Sequence, residues 1–216
     1  MRKKIYSSLL ILFCCCLLVG CTGVEPEKRL YPQAIALDRN QEEYEVLFAM
    51  PDMEGTTGQE KSGEEKQENI LAFSGKNMKE IQKLYNQTQE KYLDLGHVNV
   101  LILGTGIRQM DYWEQVMASF KSQPTLGEDI YVFQTADIRQ VMEYNGTKTD
   151  SLGDYIKGIY ENRPYVQQRQ GVTLRQVYKV WYETGELCTL PVISVLSDGT
   201  LQIHSGTGDR HLSRLG

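Results

Sequence analysis

The amino-acid sequence predicts a mixed α/β fold: a central mixed sheet with a βαβαβ segment, flanking helices, and a C-terminal helical segment followed by a hairpin. Short apolar segments that alternate or run continuously are typical of strands. Longer segments repeat their apolar residues every three to four positions, as amphipathic helices do. Between 69 and 134 these segments follow one another as strand, helix, strand, helix, strand. That order predicts parallel strands joined by right-handed crossovers.

The N-terminus has the parts of a lipoprotein signal peptide. Basic residues at 2–4 precede an apolar run over 5–18, and the small residue Gly20 precedes Cys21. A transmembrane helix is the alternative, but it needs about 20 apolar residues. We therefore predict a signal peptide over 1–20, cleavage between Gly20 and Cys21, and a diacylglyceryl group on the Cys21 sulfur. Such a group anchors a chain to the extracytoplasmic face of a membrane.

Composition narrows the classes of partner. Loss of residues 1–20 removes three positive charges and changes the net charge from −5 to −8, with 20 basic and 28 acidic residues left. This acidity argues against nucleic acid, which requires clustered Lys and Arg. Because residues 14–16 leave with the signal peptide and Cys21 carries lipid, Cys188 remains as a single thiol. An intramolecular disulfide is therefore excluded.

Residues 21–30 are predicted to form a short polar tether, and 31–206 the folded domain. Its first elements are strands at 33–38 and 43–50, which form a hairpin. In the second strand the period of two places Tyr44, Val46 and Phe48 on one face. Residues 51–68 are poor in apolar side chains and predict a mobile loop.

A third strand is predicted at 69–74, followed by a helix from Asn77 to about Tyr92. Asn77 is suited to cap this helix, with Glu80 in the capping-box position. The nearly continuous apolar run at 97–104 predicts the central strand, covered on both faces. A helix at 109–121 and a strand at 130–134 follow.

Three further helices are predicted at 137–144, 151–162 and 174–183. Their expected N-caps are Asp137, Asp150 and Thr173, the last in a capping box with Gln176. Strands at 190–196 and 200–204 then form a hairpin.

No catalytic, cofactor or metal site emerges from the motifs. Gly104-Thr105-Gly106 follows the central strand, but Gln109 stands where the third glycine of a dinucleotide fingerprint is required, so a simple turn is favoured. The histidines lack metal-ligand partners at three or four residues. His97 precedes the central strand, where a structural role is favoured over a catalytic one. We therefore expect no enzymatic activity and no cofactor.

Aromatic residues crowd the C-terminal helices. Tyr155, Tyr160 and Tyr165 are candidates for a surface that binds a partner protein, because tyrosine is enriched at such interfaces. Packing in the core is the alternative, and the helical spacing of these segments favours it.

The order of these segments resembles the Ger(x)C family, the lipoprotein C subunits of spore germinant receptors. The resemblance runs from Tyr31 to Gly206 and rests on Ala34 to Asp38, Leu95 to Gly104, and Leu190 to Ile193. It implies a non-enzymatic subunit of a nutrient-sensing complex in the spore inner membrane, with A-type and B-type membrane subunits as partners. An extracytoplasmic solute-binding lipoprotein, or another interaction lipoprotein, is the alternative.

The end of the chain departs from the family pattern. After Gly206 that pattern continues into an apolar strand, whereas residues 207–216 are polar and without periodicity. The sequence therefore predicts an atypical tail, of the kind that truncation or a frameshift produces.

Overall fold

The computed structural model describes residues 24–51, 69–162, 164 and 171–206. The strands are β1 Arg29–Leu30, β2 Ala34–Asn40, β3 Glu43–Ala49, β4 Ile70–Gly75, β5 Tyr92–Leu93, β6 Val100–Gly104, β7 Tyr131–Thr135, β8 Val192–Val195 and β9 Leu201–His204. The α-helices are α1 Met78–Thr88, α2 Met110–Lys121, α3 Ile138–Met142, α4 Leu152–Glu161 and α5 Leu174–Thr184. The predicted signal peptide, the predicted tail and all of the predicted mobile loop except Pro51 fall outside the described residues.

One large mixed sheet organises the described residues and confirms the predicted fold class. Its seven strands lie in the order β4-β3-β2-β6-β7-β8-β9. Neighbours from β2 through β6 and β7 to β8 are parallel. The pairs β4–β3 and β3–β2 on one side, and the pair β8–β9 on the other, are antiparallel. β4 pairs with β3 at the sheet edge and not with β6, because β2, β3 and β4 form an antiparallel meander. The connection from β4 through α1 therefore crosses back over the sheet, and β6 pairs with the side of β2 that the meander leaves free.

Two apolar layers cover the sheet. One buries residues of α1, α2 and α5 against Leu101 and Leu103, and the other buries residues of α3 and α4 against Val100 and Ile102. Every residue of β6 is buried. The prediction of a central strand covered on both faces is therefore confirmed, although it begins at Val100 and not at His97.

The first helix is shorter than predicted. α1 ends at Thr88, and Tyr92 lies in β5, where parallel pairing with β1 replaces the helical hydrogen bonds. Asn77 caps the helix as predicted, its Oδ1 accepting from the Glu80 amide at 3.0 Å. The returning bond differs, because Glu80 Oε2 accepts from the amide of Lys76 at 2.9 Å and not from Asn77.

The C-terminal elements follow the predictions closely. α3 is capped by Asp137 and α5 by Thr173, which forms the predicted capping box with Gln176. α4 is capped by Ser151 and not by Asp150, since the Ser151 hydroxyl accepts from the Asp154 amide. The predicted C-terminal hairpin is formed by β8 and β9.

The described part of the predicted tether lies on the domain. Pro26–Lys28 form a turn of 3-10 helix, and β1 then pairs with β5. Arg29 explains the difference, because its guanidinium binds Asp94 of the folded body at 2.7 Å. A polar segment that looks like a linker in sequence is thereby fixed by a contact with a distant residue.

Candidate functional site

The carboxyl ends of β2 and β6 are the first place to look for a site. The chain moves outward on one side of β2 through β3 and β4, and on the other side through β6 and β7. This makes the β2–β6 boundary the topological switch point, where open α/β sheets bind ligands. Asp38 of β2 and the loop Gly104-Thr105-Gly106 after β6 meet there.

The Asp38 carboxylate binds the backbone of that loop. Its Oδ1 accepts from the Gly106 amide at 2.9 Å and from its neighbour Arg39 at 2.7 Å. Burial raises the pKa of Asp38, while the amides of Arg39, Gly106 and Ile107 oppose that rise because they stabilise the charged form. The carboxylate thus occupies the amides that a bound anion would use.

Asp38 also explains both glycines of the loop. A Cβ atom on Gly104 would lie 1.9 Å from the Asp38 Cγ, and one on Gly106 would lie 2.0 Å from the Arg39 carbonyl oxygen. The glycines therefore allow close approach of the loop to β2. This favours the interpretation of a packed turn over a phosphate-binding loop.

Arg39 closes the same end of the sheet. Its guanidinium carbon lies 3.7 Å from the ring centre of Tyr112 and 5.1 Å from that of Tyr44. Nε and Nη1 are buried and lack hydrogen-bond partners among the described residues. Contact with the two ring faces offsets part of that cost through cation–π attraction.

A cavity of about 570 Å³ lies between the sheet and helices α1 and α2, and one end of it reaches Tyr44. Its size falls in the range of small-molecule sites. At that end the Tyr44 hydroxyl donates to Gln115 Oε1 at 3.5 Å. The sheet contributes Ile35, Leu37, Val46 and Phe48, and the helices contribute Ile81, Gln82, Tyr85, Val116, Ser119 and Phe120.

The structure separates the three tyrosines predicted to form a partner surface. Tyr155 is 40% exposed, with its ring 5.8 Å from that of Tyr144. Tyr160 is only 4% exposed and stacks on Tyr131 at 5.0 Å, so it is a core residue and the surface prediction is wrong for it. Tyr165 lies outside the described residues, as do Gly20 and Cys21. A partner role for Tyr155 stays a prediction.

The side chains of His97 and Cys188 have neighbours that are typical of structural residues. His97 is exposed, with its ring 4.6 Å from that of Tyr31. Burial raises the pKa of the Cys188 thiol, while the charge of Arg108 opposes the rise. Within the described ranges, no three His, Cys, Asp or Glu side chains gather as metal ligands would.

Comparison with known proteins gives the family. The sequence profile described as the spore germination protein N-terminal domain matches residues 23–195. The chain belongs to this family. The match confirms the Ger(x)C resemblance and supports a role of this domain in spore germination. No curated protein and no solved structure matches the chain.

The Ger(x)C match extends along the chain from β1 to β8 and begins two residues after Cys21. It therefore includes Asp38 and the loop after β6, the cavity, and the N-terminal segment that Arg29 fixes to Asp94. None of the helices in the described parts of this Ger(x)C domain has the length and apolar character needed to cross a bilayer. Sequence reasoning missed Asp38 and Arg29 because their partners lie 68 and 65 positions away.

Proposed function

We propose that this protein is the membrane-anchored lipoprotein subunit of a spore germinant receptor, required for germination in response to nutrients. The observation that carries the proposal is the family match to 23–195, which begins two residues after Cys21, the residue that follows the predicted signal peptide. The folded domain would then begin almost directly after the lipidated residue. In this role the chain works at the extracytoplasmic face of the spore inner membrane, beside A-type and B-type membrane subunits.

The proposal assigns the subunit an interaction role and no catalytic one. The half-buried carboxylate of Asp38 and the buried carboxylate of Asp94 both have structural partners. Asp38 accepts from backbone amides, and Asp94 pairs with Arg29. Exposed aromatic side chains such as Tyr155 are suited instead to contacts with other subunits.

The anchor is tested first by metabolic labelling with palmitate. We expect label on the wild-type protein and none on Cys21→Ala. Cys188→Ala is the matched control, because it removes the other cysteine of the predicted mature chain and should leave labelling unchanged. Wild-type protein without label would overturn the lipoprotein assignment.

The receptor role is tested by complementation. A spore-forming strain that lacks the gene receives the wild type, Cys21→Ala or Cys188→Ala, and nutrient-triggered loss of optical density is followed. We expect germination with the wild type and with Cys188→Ala, and a strong reduction with Cys21→Ala. Normal nutrient germination in the strain without the gene would contradict a required role.

The partners are tested by affinity capture from spore membranes. A tagged A-type subunit should retain the wild-type protein in mild detergent, and a tagged B-type subunit should do the same. An unrelated spore membrane protein with the same tag is the control. Equal retention by all three would argue against a receptor complex.

The cavity between α1 and α2 favours a second candidate function, the binding of a small apolar solute. Apolar residues line most of its wall, with Gln82 and Gln115 among the polar groups. Thermal denaturation of the lipoprotein in detergent, with and without apolar amino acids, tests this function. Stabilisation that disappears in Ser119→Trp, which fills the cavity, would support binding, and unchanged melting temperatures would exclude these solutes.

A further inference from the structure

The path of the chain before β2 fixes the N-terminal segment to the body of the domain. Arg29 makes three bonds that do this: Nη1 to Asp94 Oδ2 at 2.7 Å, Nε to the Val24 carbonyl at 2.8 Å, and Nη2 to the same carbonyl at 2.7 Å. The Asp94 amide donates to the Leu30 carbonyl at 2.9 Å. Val24, Arg29 and Asp94 therefore move as one unit.

The contact of Arg29 with Val24 and Asp94 is here named the clamp. The charge of the Asp94 carboxylate stabilises it at neutral pH. Burial by itself raises the pKa of Asp94, but the Gly96 amide and the Arg29 guanidinium outweigh it and hold the pKa below its usual value. The carboxylate is therefore ionised and paired well below neutral pH. Together with β1–β5 pairing, the ion pair holds the segment at a fixed position on the surface.

The length of chain before Val24 limits how far the domain can lie from its anchor. Three peptide steps separate Cys21 from Val24, and a fully extended chain spans at most about 3.6 Å per residue. Val24 therefore lies within about 11 Å of the Cys21 Cα. If Cys21 carries diacylglycerol, as the proposed function states, the surface around Val24 is held at the lipid headgroups.

That surface carries the side chains expected at a membrane interface. Val24 is 41% exposed and Tyr92, whose Cα pairs with that of Arg29 in the β1–β5 ladder, is 48% exposed. The rings of Tyr31 and His97 lie 4.6 Å apart, tilted by 36°. Tyrosine and other amphipathic aromatic residues are enriched at the headgroup level of membranes.

The charges nearby are nearly balanced. Lys28 pairs with Glu25 at 2.9 Å, Arg29 pairs with Asp94, and Glu27 adds one negative charge. A polybasic attraction to anionic lipid is therefore absent among these residues. Contact with the bilayer would depend on the anchor and on the aromatic side chains, and would be similar on zwitterionic and anionic lipid.

We propose that the surface formed by Val24, Tyr31, Tyr92 and His97, here named the N-terminal face, lies on the phospholipid bilayer. This face is at the amino ends of the parallel strands, because Tyr31 precedes β2 and His97 precedes β6. The carboxyl ends, with Asp38 and its loop, then point away from the membrane. The inference rests on the proposed lipidation of Cys21.

Depth-dependent fluorescence quenching tests the orientation. The lipoprotein, with Cys188→Ser to remove the background thiol, carries a fluorophore on Tyr92→Cys or on Tyr182→Cys. Tyr182 is the matched control, because it is 64% exposed and sits near the end of α5 that leads to Cys188. The Cys188 carbonyl accepts from Arg108, which follows the carboxyl end of β6, so this end of α5 is distant from the N-terminal face.

Both labelled proteins are reconstituted into phosphatidylcholine vesicles that contain a lipid with a quencher at the headgroup. We expect quenching at position 92 to exceed that at position 182 several-fold, and to be similar when phosphatidylglycerol replaces half of the lipid. Equal quenching at both positions, in protein whose Cys21 carries lipid, would overturn the orientation and leave the lipoprotein assignment intact. Absence of lipid on Cys21 would overturn both.

The clamp is tested in the same vesicles. Arg29→Gln should lower quenching at position 92 toward the level at position 182, because the segment before Arg29 loses its bonds to Asp94 and to the Val24 carbonyl. Lys28→Gln is the matched control, since Lys28 is exposed and its one ion pair among the described residues is with exposed Glu25. A loss of quenching in both variants, or in neither, would contradict the role assigned to Arg29.

Discussion

Substitution of Gly104 by alanine tests the packing of the loop on Asp38. The backbone of Gly104 has φ of −71° and ψ of 164°, which any residue adopts, so backbone strain contributes nothing. The new Cβ would meet Asp38 Cγ at 1.9 Å, Oδ2 at 2.2 Å and Oδ1 at 2.3 Å. Since carbon atoms prefer separations of about 3.5–4.0 Å, the carboxylate must withdraw by about 1.5 Å.

That withdrawal breaks the bonds from Oδ1 to the amides of Arg39 and Gly106. A hydrogen bond to a charged group contributes about 1.5–3 kcal/mol, so we expect the loss of two such bonds in Gly104→Ala to lower the free energy of unfolding by about 3–6 kcal/mol. The measurement is urea denaturation of the purified protein, followed by circular dichroism. Gly127→Ala is the control, because its Cβ meets nothing nearer than Ile130 Cγ2 at 3.9 Å.

A double-mutant cycle identifies the cause. Asp38→Ala removes the carboxylate and leaves the amides of Arg39 and Gly106 without this acceptor, at a cost of about 1–3 kcal/mol for each amide. In the double variant Asp38→Ala with Gly104→Ala, the new methyl group enters the space that the carboxylate has left. We expect the double variant to be no less stable than Asp38→Ala alone. Additive losses would refute the reasoning, since independent sites add and interacting ones do not.

Three further predictions concern stability. Tyr160→Ala should cost about 3–5 kcal/mol, as other buried aromatic truncations do, while Tyr155→Ala should cost less than about 1 kcal/mol; similar melting temperatures for the two would contradict their burial. The pKa of Asp94 is lowered in the fold, so its pairing with Arg29 stabilises the protein above the unfolded-state pKa of about 3.9 and loses this effect as the carboxyl group is protonated. The stability difference between wild type and Asp94→Asn should therefore shrink as the pH of a denaturation series falls from about 4 to 3, and a constant difference would argue against the ion pair. Thr173→Ala should cost about 1 kcal/mol by removing the N-cap of α5, and Thr173→Ser should restore most of it; equal stability of the two variants would contradict the capping role.

Elements of this fold could be predicted where the signal is local. The caps Asn77 and Thr173 act on amides three residues away, and the alternation of Tyr44, Val46 and Phe48 is a property of one strand. Such patterns depend on neighbours within one or two turns, so a single sequence contains them. The fold class followed from the order of these segments.

Contacts between distant residues could not be predicted in this way. Nothing near Asp38 in the sequence shows that its carboxylate binds the loop after β6, and nothing near Arg29 shows that Asp94 will bind it. Tyr155 and Tyr160 are equally aromatic and lie on one helix, yet the packing of α4 against β7 buries only Tyr160. The predicted lipid site at Cys21 lies outside the described residues and stays a prediction.

The parallel joint between β2 and β6 also has a kinetic consequence. β2, β3 and β4 can pair locally as a meander, whereas the joint brings together Gln33 and Asn99, which are 66 positions apart. Closing so long a loop costs conformational entropy before the contacts between β2 and β6 form. Non-local pairing of this kind therefore slows folding. The meander should therefore form early and the centre of the sheet late, with amides of β3 protected before those of β6 in pulse-labelled hydrogen exchange. The unpaired side of β2 would stay exposed during that interval, and an exposed strand edge can pair with another chain before this one has folded.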